Sequence, residues 1–118
     1  MLRIKDPKIS LDFYVKKLGF HLVEWMDFPQ WGFSVYFVAY CNKNEIPVEK
    51  EKRWAFCSKC PACIELVWNH GSEKKDGKLY NTGNSDATGT VDGNKIQGGF
   101  GHIGITVPDV YEACERFK

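Results

Sequence analysis

The sequence predicts an α+β fold assembled from a repeated strand–turn–helix unit, and two segments at opposite ends of the chain carry that prediction. In the later one, Ile103, Ile105 and Val107 alternate with His102, Gly104 and Thr106, the period-2 pattern of a half-buried strand. Pro108 and Asp109 stop this strand and give a helix-start signal, after which Val110, Tyr111, Ala113, Cys114 and Phe117 recur at helical spacing. In the earlier one, Leu2 to Lys5 leads into Asp6-Pro7, and Ile9, Leu11, Phe13, Tyr14, Val15 and Leu18 mark a helix closed by Gly19. Proline in the first turn and glycine just past the last apolar residue are the expected asymmetry of helix ends. The economical reading of the recurrence is a duplicated module.

Between these units, His21 to Phe28 and Phe33 to Tyr40 read as two strands around a Pro29-Gln30-Trp31-Gly32 turn. Phe28, Val35 and Phe37 are core candidates. Asn42 to Lys52 is polar and charged and contains Pro47, which reads as an exposed connection. Cys63 to Trp68 reads as a core strand, and Ser72 to Gly98, long, polar and glycine-rich, as a surface loop.

Composition narrows the function classes. The 118 residues suffice for one small domain. The 16 basic and 15 acidic residues nearly cancel, which removes any electrostatic argument for nucleic acid or a membrane surface as partner. A hydrophobic share of 43% excludes disorder as a description of the whole chain. No apolar run approaches the roughly 20 residues of a membrane span, and the start is too charged for a secretory signal, so a cytoplasmic protein is expected. Five cysteines, an odd number without a secretion signal, read as reduced thiols. Cys57, Cys60 and Cys63 have a spacing that occurs in zinc and iron–sulfur sites. A fourth ligand, Cys41 or His70, would have to be recruited from outside the run, which leads straight into a strand; ordinary packing thiols are the favoured reading.

Three side chains carry chemistry. Glu65 shares a strand face with Cys63 and Val67, and a carboxylate among apolar neighbours is costly to bury unless paired, protonated or metal-bound. The plain alternative is that it points to solvent. His102 is flanked by small residues that leave room above it; its plain alternative is a histidine with a satisfied hydrogen bond. A carboxylate and an imidazole on two separate strands make a shared metal site the sharper hypothesis. Arg3 points away from the face of Leu2 and Ile4, as a rim arginine or as the partner of an anion.

The chain resembles the glyoxalase I (lactoylglutathione lyase) family of eukaryotic type. The likeness rests on Gly99-Phe100-Gly101-His102-Ile103-Gly104-Ile105 with Val107-Pro108-Asp109-Val110-Tyr111, and on Met1 to Phe20. It extends to Asp27-Phe28-Pro29 with Phe33 to Phe37, to Glu65-Leu66 with Asn69, and to Gly83-Asn84-Ser85-Asp86. It spans nearly the whole chain in the same order, and corresponds to the central portion of the family. The fold it implies is the paired βαβββ arrangement of the vicinal oxygen chelate superfamily. Residues 1–69 would form the first module (without the start of its first strand), 70–97 a loop, and 98–118 the start of a second module.

The implied activity is isomerisation of the methylglyoxal–glutathione hemithioacetal to S-lactoylglutathione, with a divalent metal, zinc in enzymes of this type. By resemblance Glu65 and His102 are metal ligands, and Glu65 can also act as a base. Arg3 binds a glutathione carboxylate, a task suited to guanidinium geometry. Asn69 is a substrate-binding position, and Phe28, Val35 and Phe37 line a pocket for the substrate's methyl end. Trp68 and His70 look exchanged around Asn69 relative to the family, so His70 is not expected to be a ligand. Extra residues around Gly89 to Gln97 displace a glutathione-contacting arginine, for which Lys95 could substitute only as a point charge. Two further ligands, a glutamine and a glutamate, fall outside the 118 residues. In the family's two-subunit arrangement the ligands corresponding to Glu65 and His102 serve different sites, each completed across the dimer interface, which implies a homodimer or an internally duplicated partner module. Two rivals remain: a truncated or inactive homologue acting as a small-ligand-binding module on the same fold, and a ring-cleaving dioxygenase, which needs two histidines and one carboxylate.

Overall fold

The computed structural model describes residues 1–77, 79–80, 87–91, 94–97 and 101–118, with 87–91 and 94–97 described by their backbone. The chain divides into two compact units, Met1–Lys75 with Phe117, and Asp76–Arg116 with Lys118.

The first unit is built on a four-stranded sheet. Strand β1 (Leu2–Ile4) runs into helix α1 (Pro7–Leu11), which widens into a π-helical stretch over Asp12–Lys17. The sequence dictates both ends of this helix. The Asp6 carboxylate accepts hydrogen bonds from the backbone N–H groups of Lys8 (2.8 Å) and Ile9 (3.4 Å), two donors that a helix start leaves unpaired. At the other end the chain leaves through Gly19 at φ +79°, in the left-handed region. Strands β2 (His21–Phe28) and β3 (Phe33–Ala39) pair antiparallel around a single 3-10 turn, Pro29–Trp31, that closes at Gly32 with φ +69°. This is the expected hairpin.

Helix α2 (Lys50–Cys57) follows, where the polar composition of Asn42 to Lys52 indicates only a connection. Its charged outer face hides the signal: only one residue, Cys57, is fully buried. Strand β4 (Cys63–Asn69) then enters the middle of the sheet, antiparallel to β3 and parallel to β1, giving the order β1-β4-β3-β2. The connectivity is thus βαβββ with α2 inserted before the last strand.

Alternation along these strands splits the core in two. One face carries Ile4, Val38 and Leu66, packed with Leu18 and Phe20 and with Leu11, Tyr14 and Val15 of the first helix and its extension. The opposite face carries Val23, Val35, Phe37, Ala39 and Val67, packed with Cys57 of α2. Val23 belongs to this second face because a β-bulge lies between Leu22 and Glu24.

Beyond β4 two predictions need correction. The segment from Ser72 to Gly98 is not all loop: it contains a 3-10 turn at Ser72–Lys74 and the antiparallel hairpin of β5 (Ala87–Val91) and β6 (Asn94–Gln97). Glycine and polar residues there mark a hairpin without an amphipathic face, which period-2 patterning cannot reveal. The expected half-buried strand over His102 to Val107 is absent: residues 101–107 form no strand, and Ile103 and Ile105 are 43% and 44% exposed. Alternation shows that a segment can be a strand, but pairing requires a neighbour, and among the described residues none pairs with this one. Helix α3 (Val110–Phe117) forms as expected, its Asp109 carboxylate accepting from the Glu112 backbone N–H at 2.9 Å. The expected loop signature at Gly83 to Asp86 and the start of the glycine-rich segment, 98–100, lie outside the described residues.

Candidate functional site

The face of the sheet that carries Phe37 gathers most of the side chains singled out from the sequence. Cross-strand register orders them in rows. Glu24, Phe37 and Glu65 lie abreast on β2, β3 and β4. The next row is Met26, Val35 and Val67, extended by Arg3 on β1, and the last is Phe28, Phe33 and Asn69. Rows are about 7 Å apart along the strands and neighbouring residues in a row about 5 Å apart. Arg3, Glu65, Asn69, Phe28, Val35 and Phe37 therefore share one surface of three rows across four strands.

The polar members of this surface differ in how they are held. The Arg3 guanidinium donates from Nη1 to Asn69 Oδ1 at 2.9 Å, so the cation on β1 and the amide on β4 are already oriented by one another at an exposed edge. Glu65 is half-buried beside Phe37 and Val67. Glu24 is 5% exposed, and its Oε1 accepts from the Trp25 backbone N–H at 2.7 Å. Two carboxylates thus stand on either side of Phe37, roughly 10 Å apart across two strand spacings. Above this row the Trp54 ring of α2 meets the Phe37 ring edge-on, centroids 5.1 Å apart, so α2 caps one end of the face. At the other end Phe28, Trp31 and Phe33 form an aromatic group with centroid separations of 5.0 to 6.3 Å.

Glu24 is the residue that sequence reading misses. The argument that singles out Glu65, a carboxylate between apolar neighbours mid-strand, applies equally to Glu24 between Val23 and Trp25. It sits on the same face because the bulge at Leu22/Glu24 brings Val23 and Glu24 together inward.

His102 lies in the second unit, exposed, with open space around Gly101 and Gly104 on either side. Among the described residues no three His, Cys, Asp or Glu side chains converge as a metal site. His70 is engaged elsewhere: its Nε2 lies 2.8 Å from Ser34 Oγ and 3.1 Å from Asp27 Oδ1, and it stacks obliquely on Trp68. Ser, His and Asp together invite a nucleophile reading, but Ser34 is 1% exposed and its hydroxyl donates to Asp27 at 2.6 Å. The trio ties β2, β3 and the end of β4 together. No described helix is long and apolar enough to cross a membrane.

Comparison with known proteins agrees with this architecture. A lactoylglutathione lyase of Pseudomonas putida is 42% identical over 118 residues, covering 100% of this chain and 62% of that enzyme. One from Pseudomonas aeruginosa is 41% identical, with 61% of its length covered, and one from Schizosaccharomyces pombe is 33% identical, with 32% covered. The chain thus spans about three-fifths of the bacterial relatives. The profile described as "Glyoxalase/Bleomycin resistance protein/Dioxygenase superfamily" matches residues 1–118. With a βαβββ sheet and a match over its whole length, the chain belongs to the glyoxalase/bleomycin resistance protein/dioxygenase superfamily.

Proposed function

We propose that this chain contributes the substrate-binding face and part of the catalytic machinery of a glyoxalase I-type isomerase acting on the hemithioacetal of methylglyoxal and glutathione. The observation that supports this most is the composition of one sheet face: a guanidinium–amide pair, Arg3 and Asn69, a half-buried carboxylate, Glu65, and the apolar residues Phe28, Val35 and Phe37 between and around them. A glutathione adduct has the matching parts, carboxylates on its peptide and a small apolar end. Arg3 takes a carboxylate through paired, charge-assisted hydrogen bonds while Asn69 fixes its orientation. Phe28, Val35 and Phe37 exclude water from the methyl end.

Glu65 accepts the proton from the thioacetal carbon, and the same proton is returned to the adjacent carbon. Its half-buried place beside Phe37 keeps competing water away from that transfer. Glu65 and His102 are donors of the kind a divalent ion such as zinc takes. The ion, when bound, would polarise the two substrate oxygens. Catalytic zinc sites use three protein ligands, so Glu65 and His102, each a donor to a different site, call for further donors from a second copy or a partner module. The 118-residue chain alone is therefore expected to show little isomerase activity. A cytoplasmic location fits this reading.

Binding tests the proposal. The chain should bind an S-alkylglutathione by calorimetry, and Arg3→Ala should weaken it roughly ten- to hundredfold, since a charge-assisted hydrogen bond is worth about 1.5–3 kcal/mol. In an assembly with isomerase activity, Arg3→Ala should raise KM and leave metal content intact, whereas Glu65→Gln and His102→Ala should each lower metal content and rate. Unchanged affinity in Arg3→Ala, or unchanged metal and kinetics in both ligand variants, would refute it. A chain that binds the ligand while every assembly is inactive would favour the binding-module alternative.

A further inference from the structure

Four of the five cysteines come together in the first unit, although they are spread over residues 41 to 63. Cys63 opens β4 opposite Ala39, the last residue of β3. Cys41, two residues beyond Ala39, continues the same side of the chain. Cys57 ends α2, and the Cys60 backbone N–H turns back onto the carbonyls of Phe56 (3.1 Å) and Cys57 (3.2 Å). Cys41, Cys60 and Cys63 all pack against the core cluster that contains Cys57. The fold thereby supplies the additional thiol that the local Cys57, Cys60, Cys63 run lacks.

Carried two residues past Ala39, the antiparallel register of β3 with β4 brings Cys41 toward Pro61 and so beside Cys60, with both packed against the same buried cluster. Burial, then the neighbouring Cys63, pushes the Cys57 thiol up to about 12; burial, then Cys60, raises that of Cys41. No three of these groups stand where one ion could take them. Cys57 is buried, whereas Cys41 and Cys60 are both partly open to solvent.

We propose that Cys41 and Cys60 form a reversible dithiol–disulfide pair, oxidised by a small-molecule disulfide, that fastens the segment carrying α2 to the end of β3. The Cys60 thiolate attacks one sulfur of the small disulfide, breaking its S–S bond and releasing one small thiol. Cys41 then gives up its proton to solvent and attacks the Cys60 sulfur, forming the Cys41–Cys60 bond and releasing the second small thiol. The two cysteines lose two electrons and two protons, and the small disulfide gains them. The link closes a loop that contains α2 and its Trp54, the ring seated on Phe37, so the oxidised chain holds α2 over the face described above.

The test uses the 118-residue chain in buffers of graded reduced-to-oxidised glutathione ratio, quenched with acid and read by thiol titration after unfolding and by peptide mass mapping. Titratable thiols should fall from the five of the reduced chain to three, with a loss of two hydrogens mapped to a Cys41–Cys60 peptide. Reduction with dithiothreitol should reverse the change. Cys41→Ser should stop at a glutathione adduct on Cys60, and Cys60→Ser should acquire no link. Three results would overturn the proposal: five thiols persisting in fully oxidised glutathione, a link joining Cys57 to Cys63 instead, or stoichiometric zinc that survives dialysis and is lost in both serine variants. The result does not depend on isomerase activity, so it stands or falls apart from the function proposed above.

Discussion

Cys57 shows how a residue's chemistry is set by its place. On sequence grounds it is one of three evenly spaced cysteines, yet it is the one that α2 buries, and burial raises its thiol to about 12 from an ordinary 9.0. The sign of the consequence follows from which state releases the proton more easily. Below the ordinary thiol value both folded and unfolded chains hold it, and stability is unaffected. Above that value the unfolded chain loses the proton while the folded chain keeps it, so stability falls progressively until the pH reaches about 12. Melting temperature should therefore drop more steeply between about pH 8.5 and pH 10.5 in the parent chain than in Cys57→Ala. The variant's overall offset from the lost side chain is the same at each pH, so the difference in slope is the measurement. Equal slopes would show that the Cys57 thiol titrates as it does in an unfolded chain. Ser34, Asp27 and His70 teach the same point: a constellation that reads as catalytic becomes structural once the serine hydroxyl is seen donating to the aspartate.

At the scale of elements, local signals decide where helices begin and tertiary contacts decide how they continue. The Asp6 cap and Pro7 start α1 independently of its surroundings. Asp6→Ala should cost about 1 kcal/mol in urea unfolding, and Asp6→Asn much less, because asparagine keeps the accepting oxygen. A loss in Asp6→Asn as large as in Asp6→Ala would mean that the negative charge, not the hydrogen bond, stabilises the helix start. The widening to a π-helical stretch over Asp12–Lys17 carries no such local mark. It lets Tyr14, Val15 and Leu18 meet the sheet together, while Ile9 and Phe13 remain exposed. The β-bulge before Glu24 works likewise: one extra residue re-aims a carboxylate onto the face shared with Glu65.

In the first unit β4 and β3 are the two inner strands, each with a neighbour on each side and a packed cluster on each face, and β4 is the one that joins β1 to the sheet. Leu66 is fully buried at its centre, opposite Leu2 and Tyr36. Leu66→Ala should cost about 2–5 kcal/mol, through lost burial and a cavity that a rigid sheet cannot collapse. That loss is large against the stability typical of a small domain, and a variant that unfolds cooperatively at nearly the parental urea midpoint would show that β4 does not hold the two clusters together.

Asn69 is singled out by family resemblance alone; local patterning suffices for the strands of the first unit, the starts of α1 and α3, the hairpin at Gly32 and the choice of Arg3 and Glu65 as candidate polar residues. Each of these is written in short-range chemistry: alternation, a capping carboxylate, a residue able to adopt positive φ, or a charge where apolar neighbours make it costly. Tertiary structure alone decided the rest. Arg3 and Asn69, 66 residues apart, meet because β1 and β4 pair in parallel. Cys41 reaches the other thiols because the end of β3 lies beside the start of β4. Glu24 joins Glu65 through a bulge, and the segment around His102 fails to become a strand for want of a described neighbour. Pairing partners, register and inserted residues are properties of distant segments acting on one another, and no local period records them.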